Sequence, residues 1–246
     1  MSLDQLAPSY KEQLMSNVTV LVTGANRGIG LGFVQAYLAL GYQVIAGCRN
    51  PAAATQLQEL LIEYDKLLHL EQLDVVNPED FSILSAKYSA TKIDILINNA
   101  GVINSYFDKL KLSQTNPQDI LKAFEVNLLG AVLGIQAFEQ NLVRGANPRI
   151  INISSMAGSI TAAGGFGYAY RISKCSLNML TAAYAKENPA IITVALRPGW
   201  VKTELGGGGA TLEVADSVSK MIEIIDNLNL SDSGRFIDLE LKDSAW

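Results

Sequence analysis

The sequence predicts an α/β fold, a doubly wound parallel sheet of about seven strands with helices on both faces, in a single domain spanning 1–246. Three observations carry this expectation. Short β-branched apolar runs alternate with longer stretches of helical periodicity along the chain, a rhythm that builds parallel strands joined by crossover helices. The runs are apolar enough to be buried, as strands covered on both faces must be. No internal repeat and no linker divides the 246 residues, a length sufficient for one large core.

VTVLV (18–22) reads as the first strand, after which Ile29, Phe33, Ala36, Tyr37 and Leu40 fall at helical spacing until Gly41 stops the helix. QVIAG (43–47) is the second strand, and 52–64 is a helix with Leu57, Leu60 and Leu61 on one face. LLHLEQLDV (67–75) is the third strand, followed by a helix over 78–88 opened by Pro78. IDILIN (93–98) is the fourth strand. A long helix over 117–142 then opens at Pro117 and carries Phe124, Leu128, Val132 and Ile135. RIINIS (149–154) and IITVAL (191–196) are strands on either side of a helix from about 168 to 187. The last helix, about 211–228, leads to a short strand at 235–239. Gly206 to Gly209 read as a hinge within a substrate loop or lid over 203–216. Residues 1–16 read as an N-terminal extension; Asp4, Lys11 and Glu12 interrupt it, so it is not a secretory signal.

Composition narrows the chemistry. With 19 Lys+Arg against 24 Asp+Glu the net charge is −5, which argues against nucleic acid or an anionic membrane as partner. One His and two Cys cannot furnish a zinc site of three or four ligands, so no metal is expected. Acid–base work falls to His69, a carboxylate, Tyr, Lys or Cys. Cys48 and Cys175 are too few for a disulfide framework, and a reducing cytoplasm is the simplest address. The uncharged stretches 28–48 and 150–170 do not read as membrane spans, because Gly41 breaks the first and the second holds Asn152, Thr161, three serines and four glycines. The acids are also unevenly placed. Between 13 and 58 there is none, and the charged side chains in that interval are Arg27 and Arg49.

The first strand ends in Thr23-Gly24-Ala25-Asn26-Arg27-Gly28-Ile29-Gly30, where the first helix begins. Glycines let the backbone turn sharply and approach a ligand, and a helix N-terminus presents free N–H groups and a positive dipole end to a pyrophosphate. The spacing is GxxxGxG rather than the GxGxxG of the general dinucleotide fingerprint. Its place after the first strand of a doubly wound pattern favours a nucleotide over a purely structural turn.

From this motif onward the chain resembles the classical short-chain dehydrogenase/reductases, whose other hallmarks recur in order: Asn98-Asn99-Ala100-Gly101, Asn127, Ser155, Tyr170-Arg-Ile-Ser-Lys174 and Pro198-Gly199. Closer likeness lies with carbonyl reductases of the sniffer and C-factor type, through YAYRISK (168–174), RPGWVKTELGG (197–207) and the final Ala245-Trp246. The resemblance covers essentially the whole chain. It implies a Rossmann fold, a nicotinamide cofactor and the reduction of a small-molecule ketone or aldehyde, or oxidation of the corresponding alcohol. It implicates Gly24, Asn26, Arg27, Gly28, Ile29, Gly30, Val75, Asn99, Ala100, Gly101, Pro198 and Gly199 in cofactor binding, with Val201 and Thr203 in the segment that meets the carboxamide and phosphates. Relatives are often assembled, so the resemblance extends to a homodimer or homotetramer.

The cofactor expected is NADP(H). Many NAD-selective enzymes place a carboxylate after the second strand to hold the adenosine ribose, whereas the turn here is Gly47-Cys48-Arg49-Asn50. A carboxylate would repel a 2′-phosphate; Arg49 meets it with paired charge-assisted hydrogen bonds, and Arg27 stands ready on the other side. NADP-preferring relatives carry basic residues at both positions. Asp74 matches the family position that binds the adenine amino group, the other reading being a turn cap before Pro78.

Tyr170 and Lys174, four residues apart, share one helix face. A free Tyr, with a pKa of about 10, is a poor proton donor near neutrality; a neighbouring ammonium and the positive nicotinamide of the oxidised cofactor favour the phenolate and lower that value. The resemblance assigns roles: Tyr170 donates a proton to the carbonyl oxygen, Lys174 binds the nicotinamide ribose and Ser155 orients the carbonyl. Asn127 would hold a water that links Lys174 to solvent. Tyr168 is a weaker alternative, having Ile at position 172, and Ser154 is the rival of Ser155. Ser155 precedes Tyr170 by 15 residues, slightly more than in many members, so 156–169 forms a long wall carrying Phe166 and Tyr168. Trp200, Tyr106 and Phe107 are pocket candidates, within the segments 102–108, 156–169 and 203–216 that should shape it. His69 reads as structural and Cys175 as a packing residue. The competing function is a non-catalytic NADP(H)-binding signalling or regulatory protein; the intact Asn-Ser-Tyr-Lys set argues against it.

Overall fold

The computed structural model describes residues 18–104 and 106–246, so the expected N-terminal extension lies outside it. The strands are β1 (Thr19–Thr23), β2 (Gln43–Cys48), β3 (Leu68–Gln72), β4 (Ile95–Asn98), β5 (Arg149–Ile153), β6 (Ile192–Leu196) and β7 (Phe236–Ile237). The helices are α1 (Gly28–Ala39), α2 (Thr55–Glu63), α3 (Pro78–Lys87), α4 (Pro117–Phe124), α5 (Gly130–Val143), α6 (Tyr168–Glu187) and α7 (Val214–Asn227). All seven strands pair in parallel, in the order β3-β2-β1-β4-β5-β6-β7. The chain winds outward from β1 in one direction and from β4 in the other, so a crevice opens beyond the carboxyl ends of these two neighbours, where doubly wound sheets bind ligands.

Successive strand residues feed two different cores, which is why the strands are apolar throughout. Val20, Val22, Val44, Ala46, Ile95 and Ile97 pack with Phe33, Val34, Leu57 and Met221. Leu21, Ile45, Leu96 and Ile150 pack with Phe81, Ile135 and Phe138 on the opposite face. Gly32 allows α1 and α7 to close on each other, since a Cβ there would stand 2.7 Å from Val214 Cγ1.

The helix expected over 52–64 starts at Thr55 after a 3-10 turn at Pro51–Ala53, the fourth strand starts at Ile95 and the last is only Phe236–Ile237; three further departures have a clear cause. The strand foreseen over 67–75 ends at Gln72, because the Asp74 amide turns away to donate to Asp80 Oδ2 at 2.7 Å. The final helix starts at Val214 rather than near 211, since Thr211 and Leu212 fold back and donate to the Trp200 carbonyl at 3.2 and 3.0 Å. The long helix over 117–142 is not one α-helix: a π-helical turn, Glu125–Leu129, joins α4 to α5. Its extra residue rotates the buried face, so Phe124, Leu128 and Val132 are half-buried while Ala123, Asn127, Gly130, Gly134 and Phe138 point inward. The stretch Pro117–Val143 is long and apolar enough to cross a membrane, yet here it packs on α3, α6 and β4 as one layer of the domain.

Candidate active site

The glycine motif forms a cradle with no room for side chains. A Cβ on Gly30 would lie 2.3 Å from the Gly24 carbonyl oxygen, and one on Gly24, at φ +63°, would lie 2.9 Å from Ala100 Cα. Asn99 braces the loop: its Nδ2 donates to the carbonyls of Thr23 and Gly24 at 2.9 and 3.1 Å. The Thr23 hydroxyl accepts from the amides of Asn99 and Ala100, both at 3.1 Å. Thr23 thus ties β1 to the 98–101 turn, a structural role that its place in the glycine motif does not reveal. The N-terminus of α1 follows, with Arg27 at the cap position, no capping side chain and no acid in the first turn. Its free N–H groups suit a pyrophosphate.

Arg49 leaves the end of β2 beside this loop, exposed and without an ion-pair partner among the described residues. Arg27 is also exposed, but its guanidinium pairs with the Glu204 carboxylate from the 203–216 segment. The interval without acids in the sequence is therefore met by an acid in space, through a solvated pair of small energetic weight. Asp74 is half-buried; one carboxylate oxygen accepts from the Val76 amide at 3.3 Å, while Asn77 is the residue that caps α3. The Val75 side chain lies in the core against Gly130, so any contact it makes to a ligand is through its backbone.

The second half of the site gathers on α6. Tyr170, 6% exposed, hydrogen-bonds Ser155, and the Lys174 ammonium stands 5.9 Å from its ring centre. Burial pushes the phenol up to about 12, opposed by the Ser155 hydrogen bond and reinforced by Tyr106. Burial also brings Lys174 down to about 8; its Nζ donates to the Ile153 carbonyl at 2.7 Å. In the protein alone desolvation dominates at Tyr170, so the phenol lies above its ordinary value, whereas the expected lowering was that of Lys174 together with the oxidised cofactor. Ser155 also accepts from the Ala157 amide at 3.1 Å, whereas Ser154 is buried and donates to Asn178 Oδ1 at 2.6 Å. Ser155 is thus the serine beside Tyr170.

Asn127 sits on the π turn, 2% exposed. It exchanges hydrogen bonds with the Val102 backbone at 2.7 and 2.9 Å and donates to Ser173 Oγ at 2.8 Å. Ser173 in turn donates to the Tyr170 carbonyl at 2.8 Å. Asn127 therefore locks the 101–102 turn to α6, and Gly101 leaves room for Asn127 Oδ1, which a Cβ there would meet at 3.2 Å. Ser173 was not foreseen, because its partner is 46 residues away.

One cleft of about 1040 Å³ unites Ile29, Ser155, Tyr170, Pro198, Gly199, Val201 and Thr203. Tyr106, Phe107, Phe166 and Trp200 line it too, as do the four glycines of the 203–216 segment. Arg49 and Asp74 stand outside this lining, at the ends of β2 and β3. His69 is exposed on the edge strand beside Gln43, Cys48 is buried, and Cys175 is half-buried on α6. Among the described residues no group of three or more His, Cys, Asp or Glu could hold a metal.

A glycine cradle at the switch point of a parallel sheet, beside a cleft lined by Tyr170 and the half-buried Ser155 with the Lys174 ammonium close to the phenol ring, is the arrangement of a dinucleotide-binding oxidoreductase. The chain matches the short chain dehydrogenase family model over residues 18–209 and belongs to that family. It is 38% identical to C-signal of Myxococcus xanthus over 157 residues, 63% of this chain and 93% of C-signal. Its fold matches the NADPH-bound carbonyl reductase from chicken fatty liver at a TM-score of 0.86 and 37% identity, over 93% of this chain and 98% of that one. The carbonyl reductase Sniffer of D. melanogaster matches at 0.86 and 29% identity, over 94% and 99%.

Proposed function

We propose that this protein reduces a ketone or aldehyde with NADPH, with Tyr170 as the proton donor. The observation that carries the reading is the convergence of Ser155 and Tyr170 on one cleft that continues to Ile29 and Thr203 at the glycine cradle, with the buried Lys174 ammonium 5.9 Å from the Tyr170 ring centre. The residues present fit a dinucleotide: Gly24 and Gly30 let the loop fold tightly on itself and against Ala100, where a Cβ would clash, and the adjoining α1 N-terminus lacks a capping side chain and an acid in its first turn. When bound, the nicotinamide supplies a hydride to the carbonyl carbon.

The chain's own groups do the rest. Tyr170 and Ser155 offer two hydroxyls to one carbonyl oxygen, orienting it and favouring the charge that develops there. With its pKa near 12 the phenol is fully protonated at neutral pH, so the proton is in place before the reaction. Releasing it requires positive charge nearby, which Lys174 provides while it remains an ammonium. Lys174 uses one donor on Ile153, and its other N–H groups are suited to the ribose hydroxyls. Arg49, an exposed arginine at the end of β2 where a carboxylate would select NAD, supports the phosphorylated cofactor, with Arg27 as its partner once released from Glu204. A non-catalytic NADP(H) sensor is less well supported, since it has no use for a buried Tyr170 hydrogen-bonded to Ser155 at the cleft. A panel of ketones and aldehydes, followed by loss of NADPH absorbance, tests the reading: turnover of at least one is expected, and none across a broad panel would refute it.

A further inference from the structure

Resting on the carbonyl-reductase reading, the geometry points to Tyr106 as the residue that selects the substrate, with Arg171 holding it in position. Tyr106 is the hub of an aromatic wall beside the proton donor. Its ring centre lies 5.4 Å from each of Tyr170, Phe107 and Phe166, edge-on to the first two and tilted to the third. It rests directly on the backbone at the start of α6: a Cβ on Gly167 would fall 2.4 Å from Tyr106 Cδ2, and Gly167 itself adopts φ +67°. No other residue type meets both conditions.

Arg171 follows Tyr170 in sequence and works as a fork. Its Nε donates to the Phe166 carbonyl at 3.0 Å, one terminal nitrogen to the Ala162 carbonyl at 3.1 Å and the other to Tyr106 Oη at 3.4 Å. Its guanidinium also lies over the rings of Phe166 and Tyr106, at 4.9 and 5.6 Å from their centres. It has no carboxylate partner among the described residues. A planar group with several fixed donors joins two carbonyls, a hydroxyl and two rings in a way that an ammonium cannot.

Because the Tyr106 hydroxyl is turned toward Arg171, the ring borders the cleft while its polar atom is engaged elsewhere. Next to Ser155 and Tyr170 the carbonyl substituent thus meets ring edges and faces, with Trp200 and Met156 also in the lining and the charged Lys109, Arg197, Asp238 and Glu240 elsewhere around the cleft. Flat rings gain from stacking and edge contacts that a saturated ring of the same size does not make. The site therefore favours carbonyls that carry an aryl group, through Tyr106.

The test compares acetophenone with cyclohexyl methyl ketone in the full-length enzyme with NADPH. For the wild type, kcat/KM should favour acetophenone by about tenfold, the order of one good aromatic contact. Tyr106→Ala should bring the ratio within threefold through the KM for acetophenone, with NADPH Kd unchanged by fluorescence titration. Arg171→Met should do the same with Tyr106 present, Arg171→Lys should restore the ratio only in part, and the double variant should be no worse than either single one. Equal reduction of both ketones by the wild type, or an unchanged ratio in Tyr106→Ala with intact NADPH binding, would overturn the inference alone. Equal losses for both ketones in Arg171→Met would refute the positioning role. Failure of the wild type to reduce any ketone would remove the carbonyl-reductase reading, and this inference with it.

Discussion

Burial acts on Tyr170 and Lys174 in opposite directions on the pH scale, and for one reason: each is driven toward its neutral form. For Tyr170 that form is the one the proposed proton donation needs. For Lys174 it is the form that would lose its proposed role, so Lys174, with the lower pKa of the two, sets the alkaline limit of the working range. The Lys174 ammonium is present below its folded pKa of about 8 and lost as pH rises through it. The kcat/KM for NADPH, which reports the free enzyme, should therefore fall through an apparent pKa near 8; a flat profile to about two units higher would contradict this. The linkage runs the other way for stability. A lysine that titrates at about 8 when folded and 10.5 when unfolded contributes its stability above 10.5, and loses it as pH falls to 8. At this scale the sequence was informative where spacing decides: Tyr170 and Lys174 are four apart, and a Lys four residues on separates Tyr170 from Tyr168. Pairings made across the fold were hidden. Neither Glu204 on Arg27 nor Ser173 on Asn127 leaves a local trace.

The elements carry the close approaches on which the site depends. Gly30→Ala should place a methyl group 2.3 Å from the Gly24 carbonyl, at a cost of about 3 kcal/mol and with loss of NADPH affinity. Gly208→Ala, where nothing lies within 4 Å of the added carbon, should be nearly neutral; denaturant unfolding of both variants measures the contrast. The cradle was legible because a strand, a glycine run and a helix follow one another directly. The π turn was not. Apolar residues at 124, 128 and 132 mimic a regular helix face, and a period of 3.6 has no mark for one extra residue. Asn127 faces inward because of that turn, which keeps the polar atoms of the site on a helix otherwise packed by Gly130 and Gly134. The last helix was placed too early for a similar reason: the backbone of 211–212 returns to Trp200, a tertiary choice that composition does not record.

For the whole molecule, alternation of strands and helices was sufficient to specify a parallel sheet, and two cores explain why its strands lack polar alternation. Charge was less legible, because the segment without acids acquires Glu204 only when the chain folds. The proposed preference for NADP(H) therefore rests chiefly on Arg49. NADP⁺ at a hundred times its Kd should stabilise the fold by about 2.7 kcal/mol, roughly 5–10 °C in Tm for a chain of this size, and NAD⁺ at the same concentration by less. Arg49→Glu should reverse that order; an unchanged order would place the selectivity elsewhere. The central claim, that a buried phenol donates the proton, meets its most direct test in Tyr170→Phe. With NADPH binding retained, turnover of every carbonyl substrate should fall by at least a thousandfold, about 4 kcal/mol in the barrier, whereas activity near that of the wild type would contradict the mechanism.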